Sequence, residues 1–368
     1  METFFHLHKK YSWSEVKESI YAKTSAEVRA ALAKNNLTIE DFKALVSPAA
    51  MPYLDQMAML SRERTRRRFG KTIQLYIPLY LSNKCINACV YCGFNRKNSF
   101  SRTTLSVDQA VAEARAISEM GFRHVLLVTG EHPECGLSYL KKIIEAIKPF
   151  FAQIAIEVAP METLDYKALI EVGLNSVYVY QETYNRESYS GFHPFGKKSD
   201  FRYRLETPDR LGRADIYRIG LGCLLGLDDW RVDSWFTALH ILYLSRKYWT
   251  TRYSVSLPRL RPAAGAYQPL HPVTDKELLQ LICAYRLVFE DLEISLSTRE
   301  DARLRDILLP YGITAMSAGS KTQPGGYAHY TGELVQFEVG DTRPPHEVAK
   351  AIKKAGFNAV WKDWDKFF

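Results

Sequence analysis

Several absences narrow this sequence before anything in it is interpreted. No run of eighteen or more apolar residues occurs in its 368, so no segment is long enough to cross a bilayer as a helix. Met1 to Trp13 carries charges and histidines and has no apolar core of signal-peptide length. Neither G-x-G-x-x-G nor G-x-x-x-x-G-K-S is present, which removes the two common phosphate-cradling loops. No separated Cys or His pairs stand at the spacing of a structural zinc site. The balance of 46% hydrophobic and 24% charged residues excludes a disordered, collagenous or coiled-coil chain. A cytoplasmic protein without membrane contact is expected, and disulfides are not expected there.

Basic residues outnumber acidic ones, 49 to 41, a net charge of +8. The densest cluster is Arg62, Arg64, Arg66, Arg67, Arg68 and Lys71. Such a cluster can grip phosphates or can be the solvated face of a helix. Glu63 is mixed in and aromatic residues are not interleaved with the basic ones as a nucleic-acid platform would need, so the solvated face is preferred and a nucleic-acid partner is not expected.

Residues 1–71 read as a helical cap, with apolar spacing at Val28, Leu32, Phe42 and Leu45. From Thr72 an alternation of short apolar strands and amphipathic helices sets in. Val107 to Met120 has the helical period, with Ser106 able to cap it and Gly121 placed to stop it. The strands are centred on 72–81, 124–129, 153–159, 176–180, 218–225, 253–257, 292–297 and 313–317. Eight strands with helices between them demand parallel pairing. They close most economically into a (β/α)8 TIM-type barrel over 72–319, with a doubly wound sheet as the alternative. The segment 320–368 is expected to pack on the barrel.

Six cysteines are present, and three of them fall within eight residues. They follow the first strand in the order Cys85-x3-Cys89-x2-Cys92. Three thiolates on one loop can hold three irons of a 4Fe-4S cluster and leave the fourth iron open for a ligand that must bind and react. Zinc is the competing reading, but a structural zinc wants four protein ligands. Cys135, Cys223 and Cys283 are scattered and read as buried thiols.

This motif, with an aromatic residue before its last cysteine and at the head of a (β/α)8 pattern, resembles the radical S-adenosylmethionine superfamily. Further motifs are similar to its aromatic amino acid lyase branch, and within that to the tyrosine lyases of thiamine biosynthesis. They include Pro78-Leu79-Tyr80, Gly93-Phe94, Thr129-Gly130-Glu131-His132, Tyr180-Gln181-Glu182-Thr183-Tyr184, Asp209-Arg210, Pro258 to Pro262, Ser297-Thr298-Arg299-Glu300 and Ser320 to Tyr327. The likeness continues to Trp361-Lys362-Asp363-Trp364. Most of these motifs lie just past a predicted strand, on the face where barrel enzymes build their sites.

The resemblance implies a 4Fe-4S cluster on Cys85, Cys89 and Cys92, and S-adenosyl-L-methionine on the open iron. It implies cofactor contacts from Glu131, Gln181, Glu182 and Arg210, close backbone approach at Gly130, and adenine contacts from Tyr91 and Phe94. It makes Arg299 the clamp on the substrate carboxylate, because a planar guanidinium matches that group bidentately. Tyr80 and Ser317 match positions at the amino acid end of the substrate. The implied reaction breaks the Cα–Cβ bond of L-tyrosine to 2-iminoacetate and p-cresol, with S-adenosylmethionine split to 5′-deoxyadenosine and methionine. An external reductant such as flavodoxin or ferredoxin and a thiazole synthase partner are implied with it.

Two lyases of the same branch compete. The hydrogenase-maturation type carries a second Cys-ligated cluster after its barrel, whereas no cysteine follows Cys283 in this sequence. The tryptophan lyase shares the arginine clamp. An RNA-binding or RNA-modifying iron–sulfur protein is the alternative of another class, suggested by the charge alone.

Overall fold

The computed structural model describes residues 2–264, 267–328 and 334–363; Trp364 and the rest of the C-terminus lie outside the described residues. Five helices come first: α1 (Phe4–His8), α2 (Trp13–Tyr21), α3 (Ser25–Leu32), α4 (Ile39–Val46) and α5 (Leu54–Phe69). Local chemistry sets several of their starts. Thr24 with Glu27 and Thr38 with Asp41 form reciprocal capping boxes, each satisfying two amides that the first helical turn leaves without partners.

The barrel strands are β1 (Thr72–Ser82), β2 (His124–Thr129), β3 (Gln153–Glu157), β4 (Leu174–Tyr178), β5 (Arg218–Gly222), β6 (Arg252–Ser256), β7 (Glu293–Leu296) and β8 (Ala315–Ser317). Each pairs in parallel with the next, and β1 pairs with both β2 and β8, so the sheet closes. The expected (β/α)8 barrel is therefore the observed fold. The main crossover helices are α6 (Val107–Glu119), α7 (Leu137–Ile147), α8 (Thr163–Val172), the group α9 (Arg186–Phe192), α10 (Phe201–Leu205) and α11 (Thr207–Arg213), then α12 (Trp230–Lys247), α13 (Asp275–Val288) and α14 (Ala302–Leu308).

Strand alternation divides β1 cleanly. Ile73, Leu75, Ile77, Leu79 and Leu81 join the main hydrophobic core, whereas Tyr76, Pro78 and Tyr80 line a cavity inside the barrel. The N-terminal helices flank the barrel on its α12 and α13 side. Trp235 Nε1 donates to the Ile39 carbonyl at 3.2 Å, and Gln280 Nε2 donates to the carbonyls of Leu45 and Ser47 at 2.8 Å each. Covered in this way, α12 buries Trp235, Phe236, Leu239 and Ile241 around most of its circumference. No residue of 2–71 lines the cavity.

Three features differ from the simple alternating pattern. The fourth strand begins at Leu174, two residues earlier than its apolar run suggests, because Leu174 pairs with Ile154 across an irregularity in register. Residues 201–213 form two short helices rather than one, with Pro208 inside the first turn of the second. A ninth strand, β9 (Asn358–Val360), follows α15 (Pro345–Lys354) and pairs with Thr72–Gln74 at the start of β1. β1 is the longest strand and leaves that edge open below its pairing with β8.

Three residues of the basic cluster, all on α5, are consumed by structure. Arg64 donates to the carbonyls of Leu287 and Asn35, Arg67 pairs with Glu290, and Arg68 pairs with Asp291. Among the described residues, no helix is long and apolar enough to cross a membrane.

Candidate active site

The loop leaving β1 carries Cys85, Cys89 and Cys92 into the mouth of the barrel, and all three line the cavity. Two neighbours hold this loop. On one side, the turn after β2 presents Gly130, whose amide donates to the Ser82 carbonyl at 3.0 Å, and the Glu131 carbonyl, which accepts from the Ile86 amide at 2.9 Å. A Cβ on Gly130 would stand 2.2 Å from the Lys84 carbonyl oxygen and 3.0 Å from the Cys85 Cβ, so only glycine permits this approach. On the other side, the carbonyls of Phe195 and Phe192 accept from the amides of Ala88 and Val90, each at 3.1 Å. Gly196, at φ 95°, lies so close that a Cβ there would meet Asn87 Oδ1 at 2.1 Å.

Burial pushes all three thiols up, Cys89 to about 12. Cys89 is raised further by Cys92 and Cys85, so the sulfurs sit within electrostatic reach of one another; Lys198 opposes that rise. Gln336 Nε2 lies 3.7 Å from Cys92 Sγ. Among the described residues, no three His, Cys, Asp or Glu side chains gather about a point as donors to a single ion.

A buried ionic frame surrounds the cysteines. Glu131 accepts from Arg204 Nη1 and from Asn87 Nδ2, each at 2.8 Å. Lys198 Nζ donates to Glu182 Oε1 at 2.6 Å, and its backbone amide donates to Asn87 Oδ1 at 3.0 Å. Glu182 holds a left-handed backbone at φ 71°, which costs a non-glycine residue on the order of 1–3 kcal/mol. Its carbonyl accepts from the Leu224 amide at 2.8 Å, which locks that conformation against the strand-β5 exit. Tyr91 OH and His193 Nε2 are 2.8 Å apart.

The deeper wall is a ring of hydroxyls. Tyr76 OH lies 3.0 Å from Ser295 Oγ, and Tyr180 OH donates to Ser256 Oγ at 3.1 Å. Ser317 Oγ accepts from the Thr298 amide at 3.0 Å. Tyr80 OH donates to Gln336 Oε1 at 2.7 Å. Arg299 is half-buried with its guanidinium stacked 3.4 Å from the Phe337 ring centroid, and among the described residues it has no acidic partner. Burial lowers its pKa while Tyr80 and Glu157 oppose that shift. Thr129 Oγ1 and Ser320 Oγ, on residues of the same wall, have no hydrogen-bond partner among the described residues.

Eleven of the thirteen site residues expected from the sequence therefore line one cavity: Cys85, Cys89, Cys92, Tyr80, Tyr91, Phe94, Gly130, Glu131, Glu182, Arg299 and Ser317. Gln181 and Arg210 do not. Gln181 Nε2 faces the Phe201 carbonyl at 3.4 Å. Arg210 donates to the carbonyls of Met161 and Tyr203 and to Thr207 Oγ1, and it stacks on the Tyr203 ring. The guanidinium beside Glu131 is Arg204, six residues earlier. The sequence reading also missed Asn87, Glu157, Lys198, Gln336 and Phe337. Glu157 was legible as the last polar residue of an apolar strand, pointing the same way as the cavity-lining positions. Gln336 and Phe337 reach the mouth from the segment beyond the barrel, and no local pattern announces that.

The comparisons with known proteins agree with this geometry. The Radical SAM superfamily profile matches residues 79–236, and the Biotin and Thiamin Synthesis associated domain matches residues 256–358. The 2-iminoacetate synthase of Escherichia coli (strain K12) is 48% identical over 100% of this chain and 98% of its own length. That of Salmonella typhimurium (strain LT2) is 46% identical over the same shares. The FeFe-hydrogenase maturase HydG from Carboxydothermus hydrogenoformans superposes with a TM-score of 0.86 at 34% identity, covering 97% of this chain and 82% of HydG. Methylornithine synthase (PylB), at 20% identity and a TM-score of 0.71, shares the fold. The chain belongs to the 2-iminoacetate synthase family of radical SAM carbon–carbon lyases.

Proposed function

We propose that this chain cleaves the Cα–Cβ bond of L-tyrosine to 2-iminoacetate and p-cresol, splitting S-adenosyl-L-methionine to 5′-deoxyadenosine and methionine, as a step toward the thiazole of thiamine. The observation that carries the reading is one cavity with three neighbouring thiols at its mouth and, further along its wall, the Arg299 guanidinium, which has no acidic partner among the described residues.

The residues present fit the family's cofactors. Cys85, Cys89 and Cys92 would hold a 4Fe-4S cluster, since three thiols lining one cavity mouth are the soft donors that its irons take. Glu131 would accept from the methionine amino group, with Glu182, Tyr91, Phe94 and the Gly130 backbone as further contacts. Thr129 and Ser320 supply hydroxyls that lack partners among the described residues. When bound, the pair of cofactors supplies a one-electron cleavage of the sulfonium and with it a hydrogen-abstracting radical.

The chain's own side chains do the rest. Arg299 receives the substrate carboxylate, and Phe337 holds the guanidinium plane in place. Tyr80, fixed by Gln336, and Ser317, fixed by the Thr298 amide, present hydroxyls to the amino acid end. Burial holds the Tyr80 phenol well above its ordinary value, so it acts as a hydrogen-bond donor rather than a phenolate. The barrel wall keeps water from the reacting atoms. A reductant such as flavodoxin or ferredoxin supplies the electron, and a thiazole synthase receives the short-lived imine.

The test is anaerobic reconstitution followed by incubation with reductant, S-adenosyl-L-methionine and L-tyrosine. p-Cresol and 5′-deoxyadenosine should form together. Deoxyadenosine without p-cresol would remove the tyrosine assignment and leave the cofactor assignment standing. A parallel incubation with L-tryptophan separates the tryptophan lyase reading.

A further inference from the structure

Most of the charged side chains on the cavity wall have an ion-pair partner, on the wall or just behind it. Glu131 is taken by Arg204, Glu182 by Lys198, and Arg261 by Glu300. Among the described residues two are left over, the Arg299 guanidinium and the carboxyl of Glu157, the last residue of β3. Glu157 has no ion pair or hydrogen bond through its carboxyl among those residues. It is half-buried, open to the cavity and more than an ion-pair distance from Arg299, yet each acts electrostatically on the other. One unpaired cation and one unpaired carboxyl facing the same space are the complement of an amino acid zwitterion.

Resting on the tyrosine lyase reading above, we propose that Glu157 is a catalytic residue that receives the substrate ammonium opposite Arg299 and takes one proton from it. The stoichiometry of the reaction demands such an acceptor. The substrate nitrogen begins with three hydrogens, as –NH3+, and ends with one, in HN=CH–COO−. One hydrogen leaves as an atom in the radical step. The other must leave as a proton, with the N–H electron pair staying on nitrogen. Transfer to the Glu157 carboxylate gives –NH2 and a neutral carboxylic acid, and the substrate carboxylate keeps its charge against Arg299.

The surroundings suit that exchange. Burial, and then Glu182, raise the Glu157 carboxyl to about 7, while Arg299, Lys198 and Arg204 oppose the rise. The phenols of Tyr80 and Tyr180 also face it and are held protonated by burial. A base titrating near the working pH is ionised often enough to accept a proton and basic enough to keep it.

Glu157→Gln preserves size and removes proton acceptance. In the reconstituted holoenzyme it should lower tyrosine-dependent p-cresol formation by about 100-fold or more. Iron content and S-adenosyl-L-methionine binding should stay unchanged. The wild-type rate should rise with pH through about 7 as Glu157 ionises, and the variant should lose that rise. A variant that keeps the wild-type rate and pH profile overturns the proposal while leaving the lyase reading intact. A wild-type enzyme that splits S-adenosyl-L-methionine without making p-cresol overturns the lyase reading first, and this proposal with it. An independent measurement needs no variant. The wild-type holoenzyme should bind 3-(4-hydroxyphenyl)propionate, which lacks the amino group, about tenfold or more weaker than L-tyrosine. Equal affinity would also overturn the proposal.

Discussion

Arg204 holds Glu131 through a 2.8 Å ion pair in which both side chains are about nine-tenths buried, although 73 residues separate them in the chain. The pair ties the turn after β2 to α10, and Asn87 on the other carboxylate oxygen ties both to the cysteine loop. Removing one partner leaves the other charge buried without compensation. Glu131→Ala should therefore destabilise the protein by on the order of 3–5 kcal/mol, read as a lower midpoint in urea unfolding. An unchanged midpoint would mean that water reaches Arg204 and replaces the carboxylate.

Gly130 has no room for a methyl group. Gly130→Ala forces the Lys84 carbonyl and the Cys85 Cβ to move, and these belong to the loop that carries the thiols. Reconstituted iron per chain and the iron–sulfur absorbance should fall markedly, with the circular dichroism of the barrel retained. Full iron loading of this variant would show that the loop yields without loss of the site.

For Arg299 the prediction concerns substrate rather than cluster. Arg299→Ala should weaken L-tyrosine binding by about 2–5 kcal/mol, as expected when a buried charge pair loses one side. Arg299→Lys should recover only part of it, because an ammonium cannot make the planar bidentate contact or stack on Phe337. Cluster assembly should be unaffected in both. Tyrosine affinity at wild-type strength in Arg299→Ala would assign the carboxylate to another residue.

The N-terminal helix makes the fold sensitive to acid. Phe4 stacks on His240 at 3.7 Å, with His8 and Asp209 close by. Burial lowers His240 to about 3, and lowers His8, from an ordinary value of 6.5. Their folded values lie below their unfolded ones, so their contribution is complete above 6.5. It is lost as pH falls from there toward the folded values. Unfolding free energy should drop with a slope approaching about 1.4 kcal/mol per pH unit for each buried neutral histidine. His240→Phe should flatten that slope, measured as urea midpoint against pH between 6.5 and 4.

What could be read without coordinates was local in origin. The Cys85-x3-Cys89-x2-Cys92 spacing, the helical periods and the short apolar strands are contained within windows of ten to fifteen residues. They were enough for the barrel, the three cysteines that line the cavity and the face on which it opens. Tyr80, Glu131, Arg299 and Ser317 were found because each lies at or just beyond a strand end, where direction follows from alternation. Tertiary structure decided the pairings. Arg204 rather than Arg210 meets Glu131, because a break between two short helices turns one guanidinium inward and satisfies the other on backbone carbonyls. Gln336 and Phe337 arrive from beyond the barrel, and β9 adds to β1 at a free edge, because those contacts join segments far apart in the chain. Among the described residues Glu157 stands unpaired while the other acids lining the cavity have partners, a property of the whole cavity that no stretch of sequence carries.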